Sequence, residues 1–298
     1  MKDVKIQGST YQMVKNFRDD DALRKSFNQL TEQTFGFSFE DWYKDGWWSD
    51  GYIPYSLKHE GEIVANVSIS RMTFDIENQR KSGIQIGTVM TDEKYRNKGL
   101  SRLLMELVMK DWQDQADFIY LFANDSVLDF YPKFNFHATK QCQHRRQIKT
   151  QGSQSDMRKL NVDESADVKL LLDTIAQNQT MSKITMRDNA ALIMFYLTSF
   201  KRDCIHYFEK SNAIAIAATE ENTLYLDEVF CQDTVVLNEI IDALCDENVR
   251  QVVLGFTPKD DAGFSKQLVS GADTLFFFNG KPDFFDDQQH MFPVLSHG

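Results

Sequence analysis

The stretch VMTDEKYRNKGLSRLLM, residues 89–105, decides the fold of the first half of this chain. The apolar, β-branched residues 84–91 predict a buried strand, and the charged residues 92–98 predict a turn. After this turn, apolar residues recur at the spacing of one helix face, at Leu100, Leu103, Leu104, Leu107, Val108 and Trp112. The stretch therefore predicts a strand, a basic turn and a helix in direct succession.

This order of elements suits the binding of an anion. The first turn of a helix leaves backbone N–H groups unpaired, and the helix dipole adds partial positive charge there. Gly99 lets a phosphate approach the backbone because it has no Cβ. Arg96, Lys98 and Arg102 add positive charge, and the Ser101 hydroxyl adds a donor. The residues indicate a phosphate site, although strand–turn–helix units that bind no ligand occur in every α/β domain.

The hexapeptide Arg96-Asn97-Lys98-Gly99-Leu100-Ser101 resembles the Arg/Gln-x-x-Gly-x-Gly/Ala loop of the GNAT superfamily of acyl-CoA N-acyltransferases. The last position is Ser where Gly or Ala is more common. In that family the loop wraps the pyrophosphate of coenzyme A, and the preceding strand offers backbone groups to the pantetheine arm. The resemblance implies that acetyl-CoA is the cosubstrate and that its site comprises Val89, Met90, Thr91, Arg96, Asn97, Lys98, Gly99, Leu100, Ser101 and Arg102.

A second block, FYPKFNF at residues 130–136, is similar to the family's Phe-Tyr-x-Lys-x-Gly-Phe motif. Asn135 stands where Gly is usual, and Asn tolerates the left-handed backbone. The resemblance implies that Tyr131 protonates the departing thiolate and that Asn124 bonds the pantetheine amide or orders a water. The structural alternatives are a Tyr131 packed between helix and sheet and an Asn124 that only caps a short helix at Ser126.

The domain organisation follows from length and from a linker. With 298 residues, two domains are expected, and the polar stretch 150–156 predicts the linker between residues 1–150 and 151–298. The order of helices and strands after the linker repeats the order before it. The fold class we predict is α/β (α+β), with two GNAT-like domains, each a mixed, mostly antiparallel twisted sheet with helices on both faces.

The second domain is predicted to be a degenerate copy without the phosphate loop. Its corresponding turn, residues 230–234, contains no Arg-x-x-Gly, and Asp233 would repel pyrophosphate. We expect this half to bind no coenzyme A, to cover the sheet edge of the first domain and to shape the acceptor pocket.

Several local predictions can be tested against the structure. Residues 1–21 are polar and predict a loosely held lead-in, with Asp21 as the N-cap of the helix that follows. Residues 143–149 predict the last strand of the first domain. In the second half, residues 263–268 predict a short helix, and residues 274–278 a final strand.

The net charge of −11 lies in the second half of the chain. Residues 1–150 contain 21 basic and 21 acidic residues, whereas the remainder contains 12 and 23. This balance argues against nucleic-acid binding. It mildly favours a cationic acceptor by long-range attraction. The alternative is that the acidic residues only keep the protein soluble.

Other compositional signals exclude further classes of protein. No apolar run reaches the roughly 18–20 residues of a membrane helix, and the N-terminus lacks the apolar core of a signal peptide. We therefore expect a cytoplasmic protein with no membrane partner. The four cysteines form no Cys-x-x-Cys pair, which favours reduced thiols and predicts no metal site.

The resemblance implies direct transfer of the acetyl group from acetyl-CoA to a primary amine of a small molecule or protein, without a covalent enzyme intermediate. Some family members carry a Glu on the central strand, but here only Gln85 is available. Glu40, Asp41 and His59 are candidate bases by region alone. The C-terminal segment is either a frayed tail or lies between the domains, where it would present its carboxylate or His297 to the substrate. A non-catalytic acyl-CoA-binding or interaction module stays open. A P-loop protein is disfavoured because no Gly-x-x-x-x-Gly-Lys-Ser/Thr occurs.

Overall fold

The computed structural model describes residues 2–148, 157–271 and 273–297. The predicted linker 150–156 and the C-terminal residue 298 lie outside these ranges. The elements up to residue 148 are β1 (Lys2–Ile6), β2 (Ser9–Lys15), α1 (Asp21–Phe35), α2 (Glu40–Lys44), β3 (Tyr52–His59), β4 (Glu62–Ile76), β5 (Gln79–Thr91), α3 (Leu100–Trp112), β6 (Phe118–Ala123), β7 (Phe136–Thr139) and β8 (Cys142–Gln147).

The second half contributes further helices and strands. They are β9 (Met157–Lys159), α4 (Ser165–Ala176), β10 (Ile184–Arg187), α5 (Ala190–Ser199), β11 (Ile205–Phe208), β12 (Ala213–Glu220), β13 (Thr223–Cys231), α6 (Leu237–Leu244), β14 (Gln251–Leu254), β15 (Ser265–Leu268) and β16 (Thr274–Phe278). Short 3₁₀ turns lie at Glu93–Tyr95, Asp125–Val127, Tyr131–Phe134, Arg202–Cys204 and Val294–Ser296.

The strands of the described residues form two sheets. The first has the order β1-β2-β3-β4-β5-β6-β16-β7, with β10 paired to β4, and the second has the order β15-β8-β14-β13-β12-β11-β9. In the first sheet only β5 and β6 pair in parallel, and α3 connects them; in the second only β13 and β14 do, and α6 connects them. The predicted class, mixed and mostly antiparallel, is confirmed, and both sheets contain the same βαβ step.

Each sheet is covered by helices on both faces. Buried side chains of α1 (Leu23, Phe27 and Leu30) pack with one face of the first sheet, and those of α3 (Leu100, Leu104 and Val108) pack with the other. The α6 helix covers one face of the second sheet, while α4 and α5 cover its opposite face. The apolar spacing after Gly99 therefore predicted the buried face of α3 correctly.

The two sheets exchange one strand each. Strand β8 was predicted to finish the first sheet, but it lies between β14 and β15 of the second. Strand β16, from the second half, lies between β6 and β7 of the first sheet. The prediction for residues 143–149 is therefore right about the strand and wrong about its sheet. The division of the chain at residue 150 stays a prediction. Strands from the two sides of this position are hydrogen-bonded to each other, β8 with β14 and β16 with β6.

Three other local predictions were wrong. Residues 2–15 are not a loose lead-in but form the β1–β2 hairpin, whose second strand pairs with β3. Asp20, one residue before the predicted cap, accepts the Leu23 N–H and begins α1. Residues 265–268 form an exposed edge strand rather than a helix. No helix among the described residues has the length and apolarity needed to cross a membrane.

Candidate active site

The candidate site lies where β5 and β6 separate. The two strands pair only from Gly83 to Ile86, opposite Phe118–Leu121. Beyond this point they diverge around a cleft of about 960 Å³, which is lined by residues 85–91 on one side and 122–124 on the other. The backbone of 88–91 therefore faces the cleft instead of pairing with β6. An extended ligand with amide groups can take the place of the missing strand.

A β-bulge fixes the shape of β5 at this point. The register between β4 and β5 shifts between Asn66 and Ser68, and Thr88 adopts a positive φ of 48°. This backbone conformation is strained for a β-branched residue. Two hydrogen bonds hold it in place: Asn66 Nδ2 donates to the Thr88 carbonyl at 2.9 Å, and the Tyr52 hydroxyl lies 2.8 Å from Thr88 Oγ1.

The basic loop places an uncapped helix N-terminus beside this strand. Asn97 and Gly99 both have positive φ, of 63° and 82°, and Gly99 is the N-cap of α3. No side chain caps α3, and its first turn contains no acidic residue. A Cβ on Gly99 would contact nothing within 4 Å, so the space in front of the helix is open. This is the arrangement that binds phosphate groups.

The predicted cofactor residues do not all face the cleft. Val89, Met90, Thr91, Arg96, Asn97 and Ser101 line it, whereas Lys98, Gly99, Leu100 and Arg102 do not. Thr91 Oγ1 and Ser101 Oγ are 2.7 Å apart, which ties the strand end to the first turn of α3. Leu100 is the first residue of α3, and because its side chain is buried it can offer a ligand only its backbone. Two basic side chains lie near the start of α3. Arg102 is exposed, and the Lys98 ammonium lies 4.6 Å above the Tyr95 ring.

The Tyr131 side chain is buried against aromatic rings, and its hydroxyl has no partner among the described residues. Its side chain lines the cleft, is 5% exposed, and makes no hydrogen bond within the described part of the chain. The ring packs against Phe130 and Phe276 at centroid distances of 5.2 and 5.9 Å. Burial, with a smaller effect of the Asp273 carboxylate, raises the pKa of Tyr131 to about 12. The hydroxyl therefore stays protonated at neutral pH and is available as a donor.

Asn124 also lines the cleft, at the end of β6. Its Oδ1 accepts the Ser126 backbone N–H at 3.1 Å and begins the 3₁₀ turn that leads to Tyr131. Asn124 therefore does cap the turn, and none of the described residues bonds its side-chain Nδ2 group. Asn135 has the left-handed backbone expected for it, with a φ of 64°.

Residues 21–136, from α1 to the start of β7, match the model of the acetyltransferase (GNAT) family. This part of the chain belongs to the GNAT superfamily. Curated protein sequences contain no significant match to the chain.

Solved structures show how far the GNAT fold extends. A probable N-acyltransferase from Enterococcus faecalis is 14% identical, with a TM-score of 0.60 over 90% of this chain and 72% of its own. Eis1 from Mycobacterium abscessus is 12% identical, with a TM-score of 0.57 over 90% and 73%. A putative acetyltransferase from Pyrococcus horikoshii is 13% identical, with a TM-score of 0.52 over 100% and 99%. At these identities the similarity concerns the fold alone.

The second half of the chain completes the cleft of the GNAT domain. Helix α5 contributes Phe195 and Tyr196, and the C-terminal segment contributes His297. The Tyr196 hydroxyl donates to the His297 carbonyl at 2.5 Å, and the Tyr120 hydroxyl donates to the Ser296 carbonyl at 3.2 Å. No sequence motif assigned α5 to the site. Its nearly all-apolar sequence, AALIMFYLTS, was the available signal, because a helix that is apolar all round is buried on several sides.

The C-terminal segment is held in the cleft rather than frayed. The His297 ring stacks on Phe122 with centroids 3.6 Å apart. Burial lowers the pKa of His297 to about 4, so the imidazole is neutral at pH 7. Of the two groups considered for this tail, His297 therefore reaches the cleft, while the terminal carboxylate lies outside the described residues.

The three bases proposed by region do not reach the cleft of the GNAT domain. Glu40 accepts hydrogen bonds from Arg24 and Asn28, each at 3.0 Å. His59 contacts the Tyr95 hydroxyl at 3.0 Å, outside the cleft, and Asp41 is exposed on α2. Gln85 lies on the cleft wall, 3.4 Å from the Tyr120 hydroxyl. Within the described ranges, no cluster of three or more His, Cys, Asp or Glu side chains could hold a metal.

Proposed function

We propose that this chain is an N-acetyltransferase that moves the acetyl group of acetyl-CoA directly to a primary amine. One observation carries the proposal: the edge of β5 that β6 leaves unpaired, the uncapped start of α3 and the Tyr131 hydroxyl, which has no partner among the described residues, line or flank one cleft. The first suits pantetheine, the second suits pyrophosphate, and the third suits a leaving sulfur.

The reaction needs a neutral amine, a donor for the thioester oxygen and a proton for the leaving thiolate. Attack of the amine nitrogen on the carbonyl carbon forms the C–N bond, and collapse of the tetrahedral intermediate breaks the C–S bond. A backbone N–H of residues 89–90, in the part of β5 that has separated from β6, stabilises the oxyanion. Tyr131 donates its proton to the sulfur, the proton released by the amine nitrogen passes to water, and the Tyr131 phenolate takes a proton back from solvent.

Tyr131 suits this role because burial keeps its hydroxyl protonated. With a pKa of about 12 it remains a donor throughout the range in which amines become neutral. The Phe130 and Phe276 rings restrict its side chain to one position beside the strand end. No enzyme nucleophile is required, and all four cysteines are free thiols outside the cleft lining.

We further propose that the second half is a degenerate GNAT-like copy that binds no coenzyme A. Helix α6 starts after a turn without the basic motif, and Glu239 adds negative charge to its first turn. The point where β13 leaves β14 is filled, because Val294 N–H bonds to the Gly255 carbonyl at 2.9 Å. A Cβ at Gly255 would lie 2.7 Å from the Asp227 Cα, so no space for a ligand remains there.

Calorimetric titration of the full chain with acetyl-CoA, followed by an acetylation assay with a panel of amines, tests both proposals. We expect one equivalent to bind and at least one amine to be acetylated. Two equivalents would contradict the assignment of the second half. Binding with no turnover on any amine would favour the acyl-CoA-binding module, and no binding by the folded chain would overturn the proposed function.

A further inference from the structure

The acceptor side of the cleft has a wall of aromatic rings. Phe35 at the end of α1 and Phe200 just after α5 are 43% and 56% exposed, and both line the cleft. Between them stands Phe37, which is 6.1 Å from Phe35 and 5.9 Å from Phe200 by ring centroids. These three rings, which we call the aromatic rim, come from both halves of the chain. Large exposed rings are costly in water unless a ligand covers them.

The aromatic rim continues into the cleft without a gap. Phe195 lies 5.6 Å from both Phe37 and Phe200, and Phe39 lies 5.2 Å from Phe195. Tyr52 follows, 5.3 Å from Phe39, and its hydroxyl contacts Thr88 on β5. A chain of ring contacts therefore leads from solvent to the strand segment that we assign to the thioester.

The same wall offers nothing to a second positive charge. Among the described residues that line the cleft, the acidic ones are Asp129 and Asp273. Asp273 acts electrostatically on Tyr131, and Asp129 is two residues before Tyr131 in the chain, so neither belongs to the aromatic rim. Near α5, Asp227 is already paired with Lys201 at 2.6 Å. A polyamine or aminoglycoside would lose hydration here without gaining a carboxylate partner.

We infer that the acceptor is an arylalkyl monoamine, whose ring lies against the aromatic rim while its single amino group reaches β5. This inference rests on the proposed acetyltransferase function and specifies its substrate class. Ring–ring contacts in offset or edge-to-face geometry would hold the acceptor, in addition to the apolar area that it covers. The acceptor is then apolar apart from its amine, which differs from the cationic acceptor favoured by net charge.

The test compares 2-phenylethylamine, ethylamine and spermidine as acceptors with the intact chain and saturating acetyl-CoA. We expect kcat/KM for phenylethylamine to exceed that for each of the other two at least tenfold. In Phe200→Ala and Phe35→Ala, the ratio of kcat/KM for phenylethylamine to that for ethylamine should fall about fivefold or more. Val236→Ala, at an apolar side chain that is 53% exposed outside the cleft, is the matched control and should keep the parent ratio.

The outcomes separate this inference from the proposed function. Acetylation of spermidine or ethylamine as efficiently as phenylethylamine would overturn the inference and leave the acetyltransferase standing. If no amine is acetylated, calorimetry of phenylethylamine into the coenzyme A-saturated protein decides. Binding that Phe200→Ala weakens would support the aromatic site without turnover, and absence of binding would overturn it.

Discussion

The Phe276 ring lies 5.9 Å from the Tyr131 ring, although the two residues come from opposite halves of the chain. Phe276 is on β16, which enters the first sheet between β6 and β7. The exchanged strand thus forms part of the pocket that holds the candidate acid. The second half is therefore a structural component of the site, as well as the source of α5 and His297.

Phe276→Leu should loosen Tyr131 without unfolding the protein. Replacing one buried apolar side chain by another of similar volume costs about 1 kcal/mol of unfolding free energy. We expect kcat to fall several-fold while the Kd for acetyl-CoA changes little. Phe208→Leu, at an equally buried ring of the second sheet, is the control for stability loss alone. Equal effects of both variants on kcat would show that Phe276 has no specific influence on Tyr131.

Tyr131→Phe should lower turnover rather than cofactor affinity. Loss of a general acid costs about 10²–10⁴-fold in rate, and the variant breaks no hydrogen bond within the described part of the chain. Steady-state kinetics and calorimetry on the same samples give the two quantities, with Tyr225→Phe at an exposed ring as the control. Because the pKa of Tyr131 is about 12, the parent enzyme should show no activity loss from its ionisation below about pH 11. An unchanged kcat in the variant would remove Tyr131 from the mechanism.

Gly99→Asp should abolish acetyl-CoA binding. The substitution adds a negative charge at the start of α3 and a side chain at a φ of 82°. Gly263→Asp is a matched control because Gly263 also has a φ of 82° but lies in the second half, near Arg146. Calorimetric titration of both variants checks the prediction, with thermal unfolding as the measure of strain. If Gly99→Asp bound acetyl-CoA like the control, the pyrophosphate site would be elsewhere.

Glu228 should make the protein less stable as pH rises. Its burial on β13 raises the pKa from 4.5 to about 8, so between these values the folded state keeps a proton that the unfolded state releases. The contribution of the protonated Glu228 to the free energy of unfolding is complete below about pH 4.5 and is lost as the pH rises to about 8. At about 1.4 kcal/mol per pKa unit, this amounts to about 5 kcal/mol.

Glu228→Gln removes this titration and should flatten the pH dependence. Urea unfolding at pH 5 and pH 9 measures the pH dependence of the unfolding free energy. The parent should lose several kcal/mol between these two pH values, and the variant should not show this loss. Glu239→Gln, at an exposed side chain of α6, is the control and should change stability little. A parent and a Glu228→Gln variant with parallel pH profiles would contradict the assignment.

Strong local patterns in the sequence were sufficient for most elements near the site. Gly99 and the apolar spacing after it predicted α3, and the run FIYLFA predicted β6 with its bounds, Phe118–Ala123. Asn135 in place of Gly predicted its left-handed backbone. These features depend on side-chain periodicity and on local backbone preference, which neighbouring residues determine.

Edge strands were the elements that local patterns missed. The exposed residues Ser265–Leu268 have no buried face, so their strand depends on backbone hydrogen bonds to β8. The β1–β2 hairpin and β10 were also not predicted, although Tyr11, Val14 and Ile184 on these strands are buried; β2 pairs with β3 and β10 with β4, which lie far away in the sequence. A strand of this kind is defined by its partner, which lies far away in the sequence.

The sequence by itself determined the basic loop before α3, the motif around Tyr131 and the mixed α/β class, because each rests on a contiguous run of residues. Only the tertiary structure decided that β8 and β16 change sheets, that Phe276 supports Tyr131, and that α5 and His297 close the acceptor side. Each of these depends on contacts between residues more than 80 positions apart. Such contacts are selected by the packing of the whole molecule, and no local spacing encodes them.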